Sequence, residues 1–416
     1  MKTIRIGVFG LSRGASFFDS ILANNGEIVA VCDSRPKARQ DAVNRLGGGV
    51  AAYETFDEFI EHPMDAVLLA NFFPEHAPYA IRALEKNIHV LSECTSNGTM
   101  AEGVALVRAA EKSSATYMLA ENYPFMRFNQ EMKRVYDGGT LGKIMYAEGE
   151  YNHPADWSNV SLVTDLRPGE KHWRNHLPRT YYVTHSLAPL MYTTGSNPIR
   201  VTAMPVYAPL PDDCPSVSSV GDFAAIITTL NDDDSVFKFT GCAGFGAHGN
   251  SYRLCCKKGQ IENLRGMGDT VMLRYNGWQI PEGMQEVQSY EARLSDKDAE
   301  LSRKAGHGGG DFFVIRHFFE SIRNQTPPPF DVYFATRMAS VAILGHRSLM
   351  ERGMPYDIPD FKNEEDRKQY ENDTLSPFWG SDGSAPSYPS CSHPDYAPTE
   401  EQRAPMLAEF TRRGIR

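Results

Sequence analysis

The chain is 416 residues long, 41% hydrophobic and 23% charged, which is ordinary for a folded protein and excludes disorder over most of its length. Its formal net charge of -10 disfavours nonspecific attraction to nucleic acid or anionic lipid, and its longest apolar runs, such as Val67-Leu68-Leu69-Ala70, fall far short of the ~20 residues that cross a bilayer. Seven cysteines without a C-x-x-C spacing predict free thiols in a reducing compartment, and with no export signal in Met1-Lys2-Thr3-Ile4-Arg5-Ile6 the expected location is the cytoplasm.

In chain order, residues 3–9 read as a buried strand, and a glycine turn at 10–14 passes into a helical stretch ending near Ala23. A second strand, Ile28 to Cys32, ends at Asp33 and is followed by a helix to about Leu46. Short apolar runs at 65–71, 89–93 and 116–120 alternate with helical segments at 75–86 and 100–113. Such alternation predicts a mostly parallel sheet covered on both faces, a doubly wound α/β domain over 1–122.

Beyond 122 the pattern changes. Segments 143–151, 200–206, 223–230, 236–244, 252–256, 260–264 and 271–275 read as successive strands joined by short turns, which predicts a large, mostly antiparallel sheet. Asn231-Asp232-Asp233-Asp234 reads as a solvated hairpin turn. Two helices follow, at 312–323 and, after Pro327-Pro328-Pro329, at 333–351. Phe312, Phe313, Phe318 and Phe319 on the first are read as core. The α+β domain is thus placed at 123–352. The segment 353–416, with Pro377, Pro386, Pro389, Pro394 and Pro398, shows no strong period and is expected to pack over the body or a neighbouring subunit.

The first chemical motif is Gly10-Leu11-Ser12-Arg13-Gly14-Ala15, directly after the first strand. A dinucleotide site needs a tight turn, backbone N–H groups close to the pyrophosphate, and a helix N-terminus beneath it. Gly10 supplies the turn, while Ser12 and Ala15 stand where further glycines are usual. Asp33, at the end of the second strand, is placed to accept hydrogen bonds from the adenosine ribose and to repel a 2′-phosphate, which favours NAD over NADP. Ser34 and Arg35 adjoin it. Ligands of open α/β sheets bind outside the carboxyl ends of the strands. Asn71-Phe72-Phe73-Pro74-Glu75-His76 and Ser92-Glu93-Cys94-Thr95 should therefore border the nicotinamide half. His153 and His172 fit no metal pattern, and no metal is expected.

Together, the opening fingerprint, the Asn71 turn with His76, Glu93 and the β-rich second half resemble the Gfo/Idh/MocA oxidoreductases over roughly residues 3–352. In the dehydrogenases of that family the Glu93 position is followed by Lys-Pro, and the lysine assists proton transfer from the substrate hydroxyl. This chain has Cys94-Thr95. The wider pattern also puts an Asp four residues before a histidine, where this chain has Tyr181. Leu119-Ala120-Glu121-Asn122-Tyr123, Glu148 to His153, Trp173-Arg174 and Tyr182-Val183-Thr184-His185-Ser186-Leu187-Ala188-Pro189 are similar to segments of the NAD-dependent α-N-acetylgalactosaminidases, glycosidases built on the same fold.

That resemblance implies a reaction centre of Glu121, Tyr151, Tyr182 and His185. It implies cofactor contacts from Gly10, Leu11, Ser12, Arg13, Asp33, Ser34, Arg35, Asn71, Phe72, His76, Glu93, Cys94, Asn122, Trp173 and Arg174. His307, in the turn His307-Gly308-Gly309-Gly310-Asp311, is implied to touch the substrate. The expected chemistry is transient oxidation of a sugar at C3, elimination of the glycosidic oxygen after loss of the C2 proton, water addition and re-reduction. In this scheme His185 is the base at the C3 hydroxyl and Tyr151 moves the proton at C2, while Tyr182 and Glu121 orient. Two other readings stand beside it: an NAD-dependent sugar or cyclitol dehydrogenase, and an NAD-binding regulator without chemistry. The expected partners are a small carbohydrate and, through the open sheet face, further copies of the chain.

Overall fold

The computed structural model describes residues 2–415. Six strands form a wholly parallel sheet: β1 (Ile4–Phe9), β2 (Gly26–Cys32), β3 (Ala51–Tyr53), β4 (Ala66–Leu69), β5 (His89–Ser92) and β6 (Tyr117–Leu119), in the order β3-β2-β1-β4-β5-β6. The middle strands are apolar because both faces are covered: Ile4, Ile6 and Val8 of β1 and the whole of β4 are buried, as parallel sheets require. The strand order reverses between β1 and β4, and a ligand crevice opens at such a switch point.

Nine strands form the second sheet: β7 (Ile144–Asn152), β8 (Pro198–Tyr207), β9 (Asp222–Asn231), β10 (Val236–Thr240), β11 (Gly249–Cys256), β12 (Gly259–Asn263), β13 (Thr270–Tyr275), β14 (Val287–Glu291) and β15 (Tyr356–Asp357). Their order is β14-β13-β12-β11-β7-β10-β9-β8-β15. Every pair is antiparallel except β7 with β10, which run parallel at the centre. The expected strand 236–244 ends early, at Thr240, whose carbonyl accepts the Ser186 hydroxyl. Ala243 rejoins the sheet only as an isolated bridge to Asn152. The helix Thr184–Thr194 lies against β7, where Gly149 permits closest approach: a Cβ there would sit 2.1 Å from the Ser186 carbonyl oxygen.

The helices Gly310–Asn324 and Val332–Met350 are close to their predicted bounds, and all four phenylalanines of the first are buried. The segment after 352 makes specific contacts with both sheets' surroundings. Arg367 pairs with Glu111 on the helix Met100–Lys112, Arg347 makes a bidentate pair with Asp373, and Ser392 donates to Asp222 at the start of β9. It also holds a helix that the sequence reading missed, Glu400–Arg413, begun by a Thr399–Gln402 capping box. That helix packs on Val160–Leu166 around a small separate core of Val163, Val217, Met406 and Phe410. Among the described residues no helix is long and apolar enough to cross a membrane.

Candidate active site

The carboxyl ends of the parallel strands gather the predicted residues along one edge. Gly10 adopts φ +88, and a Cβ there would lie 2.2 Å from the Ala70 carbonyl oxygen, so only glycine lets β1 turn this tightly against the end of β4. The next residue, Leu11, donates its N–H to Asp33 Oδ2 at 2.8 Å. Asp33 is buried and its carboxyl is held below the usual range: burial opposes this, but hydrogen bonds from Arg35 and Leu11 outweigh it. The Arg35 guanidinium spans both Asp33 oxygens, with its side chain 59% exposed and free to swing away. Ser12 and Ser34 are exposed beside this turn.

Further along the edge, His76 Nδ1 lies 2.8 Å from the Thr95 carbonyl, tying the turn after β4 to the turn after β5. Burial lowers the pKa of His76, which stays neutral. His76 Nε2, Asn71 Oδ1 and Asn122 Oδ1 are buried and have no hydrogen-bond partner among the described residues. Orphaned buried polar atoms call for a polar ligand, and three of them on the switch-point edge, with Asp33 and the Gly10 turn at the other end, fit a dinucleotide.

At the inner end stands a buried pair. Glu121, fully buried just past β6, accepts from His185 Nδ1 at 2.9 and 3.1 Å. Its carboxyl also accepts the Tyr123 N–H and the Cys94 thiol. Burial pushes Glu121 up, yet His185 and these hydrogen bonds outweigh it and hold the carboxyl below its usual range. With Nδ1 turned to the carboxylate, Nε2 is the ring nitrogen left to face a ligand, a tautomer assigned from the hydrogen bonds. Three phenols enclose the imidazole: Tyr123 stacks on it at 3.9 Å between ring centres, and Tyr151 and Tyr182 meet it edge-on at 4.9 and 5.2 Å. Burial pushes all three phenols up. The Tyr252 hydroxyl donates to the His185 carbonyl and fixes the start of its helix. The Cys94 thiol, where the dehydrogenase pattern has lysine, is also pushed well up by burial.

A hub that sequence reasoning missed ties the edge of the parallel sheet to the helix Gly310–Asn324. Asp311, fully buried in the first turn of Gly310–Asn324, receives both Arg13 Nη atoms at 2.8 Å and Asn122 Nδ2 at 2.7 Å, and it lies 3.2 Å from His307 Nδ1. Arg13 Nε meanwhile donates to Glu93 Oε1 at 2.8 Å. Four of the predicted residues, Arg13, Glu93, Asn122 and His307, are thus linked directly or through Asp311. Tyr123 was also missed, although it follows Glu121-Asn122. An acid at a helix start reads locally as favourable to the helix dipole, so only the fold reveals its wider role. Trp173 stacks on Phe73 at 5.0 Å and Arg174 lies over the Trp173 ring, which places both at the rim; Phe72 stands 54% exposed beside them.

Comparison with known proteins bears on the fold and the cofactor. Residues 4–121 match the oxidoreductase family with an NAD-binding Rossmann fold, and residues 270–367 match the glycosyl hydrolase 109 C-terminal domain. A glycosyl hydrolase family 109 protein of Saccharopolyspora erythraea is 25% identical over 396 residues, covering 86% of this chain and 83% of the relative. One from Streptomyces niveus is 26% identical over 399 residues, with 88% and 79% covered. A solved levoglucosan dehydrogenase in complex with NADH and L-sorbose shares the fold at a TM-score of 0.72 and 15% identity, over 86% of this chain and 100% of that one. An NAD binding oxidoreductase from Klebsiella pneumoniae does so at 0.71 and 15%, over 86% and 99%. The chain is an NAD-binding enzyme whose residues 4–121 match the Gfo/Idh/MocA oxidoreductase Rossmann domain and whose residues 270–367 match the C-terminal domain of glycosyl hydrolase 109.

Proposed function

We propose that the enzyme cleaves a glycosidic bond of a hexose derivative by transient oxidation at C3, elimination, water addition and re-reduction. The observation that carries this reading is the buried Glu121–His185 pair enclosed by Tyr123, Tyr151 and Tyr182. Simple dehydrogenation needs one base, whereas elimination needs proton transfer at two adjacent carbons.

In this reading Leu11, Asp33, Ser34 and Arg35 hold the adenosine end of the cofactor, and Gly10, Ser12 and Arg13 the pyrophosphate. Asn71, Phe72, His76, Glu93, Cys94, Asn122, Trp173 and Arg174 surround the nicotinamide half. NAD⁺, when bound, supplies a hydride acceptor at C3 and returns the hydride at the end of the cycle. His185 Nε2 takes the proton of the C3 hydroxyl, and the Glu121 carboxylate at Nδ1 stabilises the imidazolium that results. Tyr151 moves the proton at C2. Because burial keeps its phenol protonated, Tyr151 gives C2 its proton as water adds at C1 and regains one from that water; the adjoining His185 yields the C3 hydroxyl proton to the departing glycosidic oxygen, takes the C2 proton in its place, and returns it to the C3 oxygen on re-reduction. Tyr182 and His307 orient the ring. Cys94, its thiol pushed up and donating to Glu121, does not replace the missing lysine as a proton acceptor. The more than half exposed Met145 and Met204 of the large sheet are taken as part of a surface through which copies of the chain associate.

The test is turnover of a panel of nitrophenyl α- and β-glycosides with and without added NAD⁺, following NADH absorbance in parallel. Nitrophenol release without net NADH is the expected result. Stoichiometric NADH from free sugars with no aglycone released would instead make the enzyme a sugar or cyclitol dehydrogenase, a reading the single imidazole base also satisfies. At the other end of the cofactor, Asp33→Ala is expected to weaken NADH binding about tenfold or more, the scale of a hydrogen bond to a charged group. Fluorescence titration reads this, and unchanged affinity would remove Asp33 from the adenosine site.

A further inference from the structure

The segment 153–180 runs from Tyr151 of the cage to Tyr182 and carries three arginines that have no acidic partner among the described residues. Arg167 is half buried, lies 4.1 Å over the Trp157 ring, and reaches only the Asn175 side-chain oxygen, at 3.5 Å. Arg179, also half buried, donates Nε to the Asp222 backbone carbonyl at 2.8 Å. Arg174 lies over Trp173. None of the three has a carboxylate within 4.0 Å among the described residues, whereas Arg347 and the arginines 367, 403 and 413 of the C-terminal extension are all paired.

The acids of the same segment are turned elsewhere. Asp165 is taken by Arg413 and Glu170 by Arg403, both from the helix Glu400–Arg413, and Asp156 accepts from Ser158. Burial and the like charges of Arg179 and Arg174 act against the charge on Arg167. A guanidinium does not give up its proton in proteins, so the cost stands as an unmet demand for an anion. The neighbours register this positive field. Burial, Arg174 and Arg167 push His172 down to about 3, and all three arginines act on Cys242, which also acts on Tyr151 and Tyr182. Geometry places the cluster beside the cage: Arg179 opens the short helix Arg179–Tyr182, and Trp173, beneath Arg174, stacks on Phe73, which in turn stacks on Tyr182 at 5.7 Å.

We propose that the substrate is an acidic saccharide, bearing a carboxylate or a sulfate ester that Arg167 and Arg179 hold beside the tyrosine cage, with Arg174 at its rim. This rests on the cage being the carbohydrate site, and it holds equally for cleavage and for simple oxidation. Guanidinium groups recognise both anions through paired N–H donors.

Calorimetric binding to the NAD-loaded enzyme tests it, using methyl glycosides of glucuronate and galacturonate, the matching neutral hexosides, and their 6-sulfates. The acidic ligands are expected to bind about tenfold or more tightly than the neutral ones, as expected for a charge-assisted hydrogen bond. Addition of salt, and the variants Arg167→Gln and Arg179→Gln, should shrink that advantage. Preference for uronates or for sulfates identifies the anion. Equal binding of neutral hexosides, no binding of any acidic ligand, or an advantage that survives both substitutions overturns the proposal. The wild-type comparison decides even if a variant fails to fold. Because the readout is binding, absence of aglycone release would count against the glycosidase reading alone.

Discussion

Replacing His185 by alanine is expected to lower turnover by roughly 10²–10⁴-fold, the usual contribution of a positioned acid–base group, with NADH affinity little changed. His185 is the one side chain in the cage that touches Glu121 and all three enclosing phenols. Its removal takes away both the base and the bridge between carboxylate and tyrosines. Glu121→Gln separates the two roles. It keeps the shape of the pair but removes the charge that stabilises the imidazolium formed in turnover, so kcat should fall while NADH affinity stays unchanged. Unchanged turnover in His185→Ala would end its assignment as the base, and unchanged turnover in Glu121→Gln would reduce the carboxylate to a structural partner.

The second large effect is expected at Arg13→Met, which leaves the fully buried Asp311 carboxylate with only Asn122 and His307. Breaking one side of a buried ion pair costs about 3–5 kcal/mol, readable as a lower urea midpoint at pH 7. The pH dependence gives an independent check. In the wild type Arg13 and His307 outweigh burial and hold the Asp311 carboxyl far below its usual range. Its contribution is therefore present above the unfolded value of about 3.9 and lost as pH falls through the lower folded value. Without Arg13, burial dominates and the folded value rises above the unfolded one, so acid favours the variant's native state. The gap between the two proteins should narrow as pH falls. A gap that is absent at neutral pH, or that widens in acid, would show that Asp311 does not depend on Arg13.

The parallel sheet was legible because its strands are buried on both faces and their ends carry chemistry: Gly10, Asp33, Glu93 and Glu121 each follow a strand at the expected edge. β3 was not, since three residues behind Gly47-Gly48-Gly49 are too few to show a period. The helix Arg127–Asp137 does carry a period, in buried Phe128, Met132 and Val135, and was missed nonetheless. The parallel pairing of β7 with β10 is set by the order of strands across the sheet, which local sequence does not encode. In the site, Tyr151, Tyr182 and His185 were recognisable as types in familiar segments, and the fold brings their rings within 6 Å of one another. Asp311 and the arginines 167 and 179 lay beyond reach. Acids and arginines are common on surfaces, and only burial and the identity of the partner set these apart.

The small core between Val160–Leu166 and Glu400–Arg413 bears on how the mouth of the site behaves. Its four buried side chains, Val163, Val217, Met406 and Phe410, stand apart from the main interior. So small a core makes this a local unit less stable than the main interior. The segment that carries Arg167, Trp173 and Arg174 is thus anchored by a helix nearly two hundred and fifty residues away in sequence, the span between Ser161 and Glu409 being 248. Sequence drift in that distant helix would retune which ligands enter without altering a single residue of the cage.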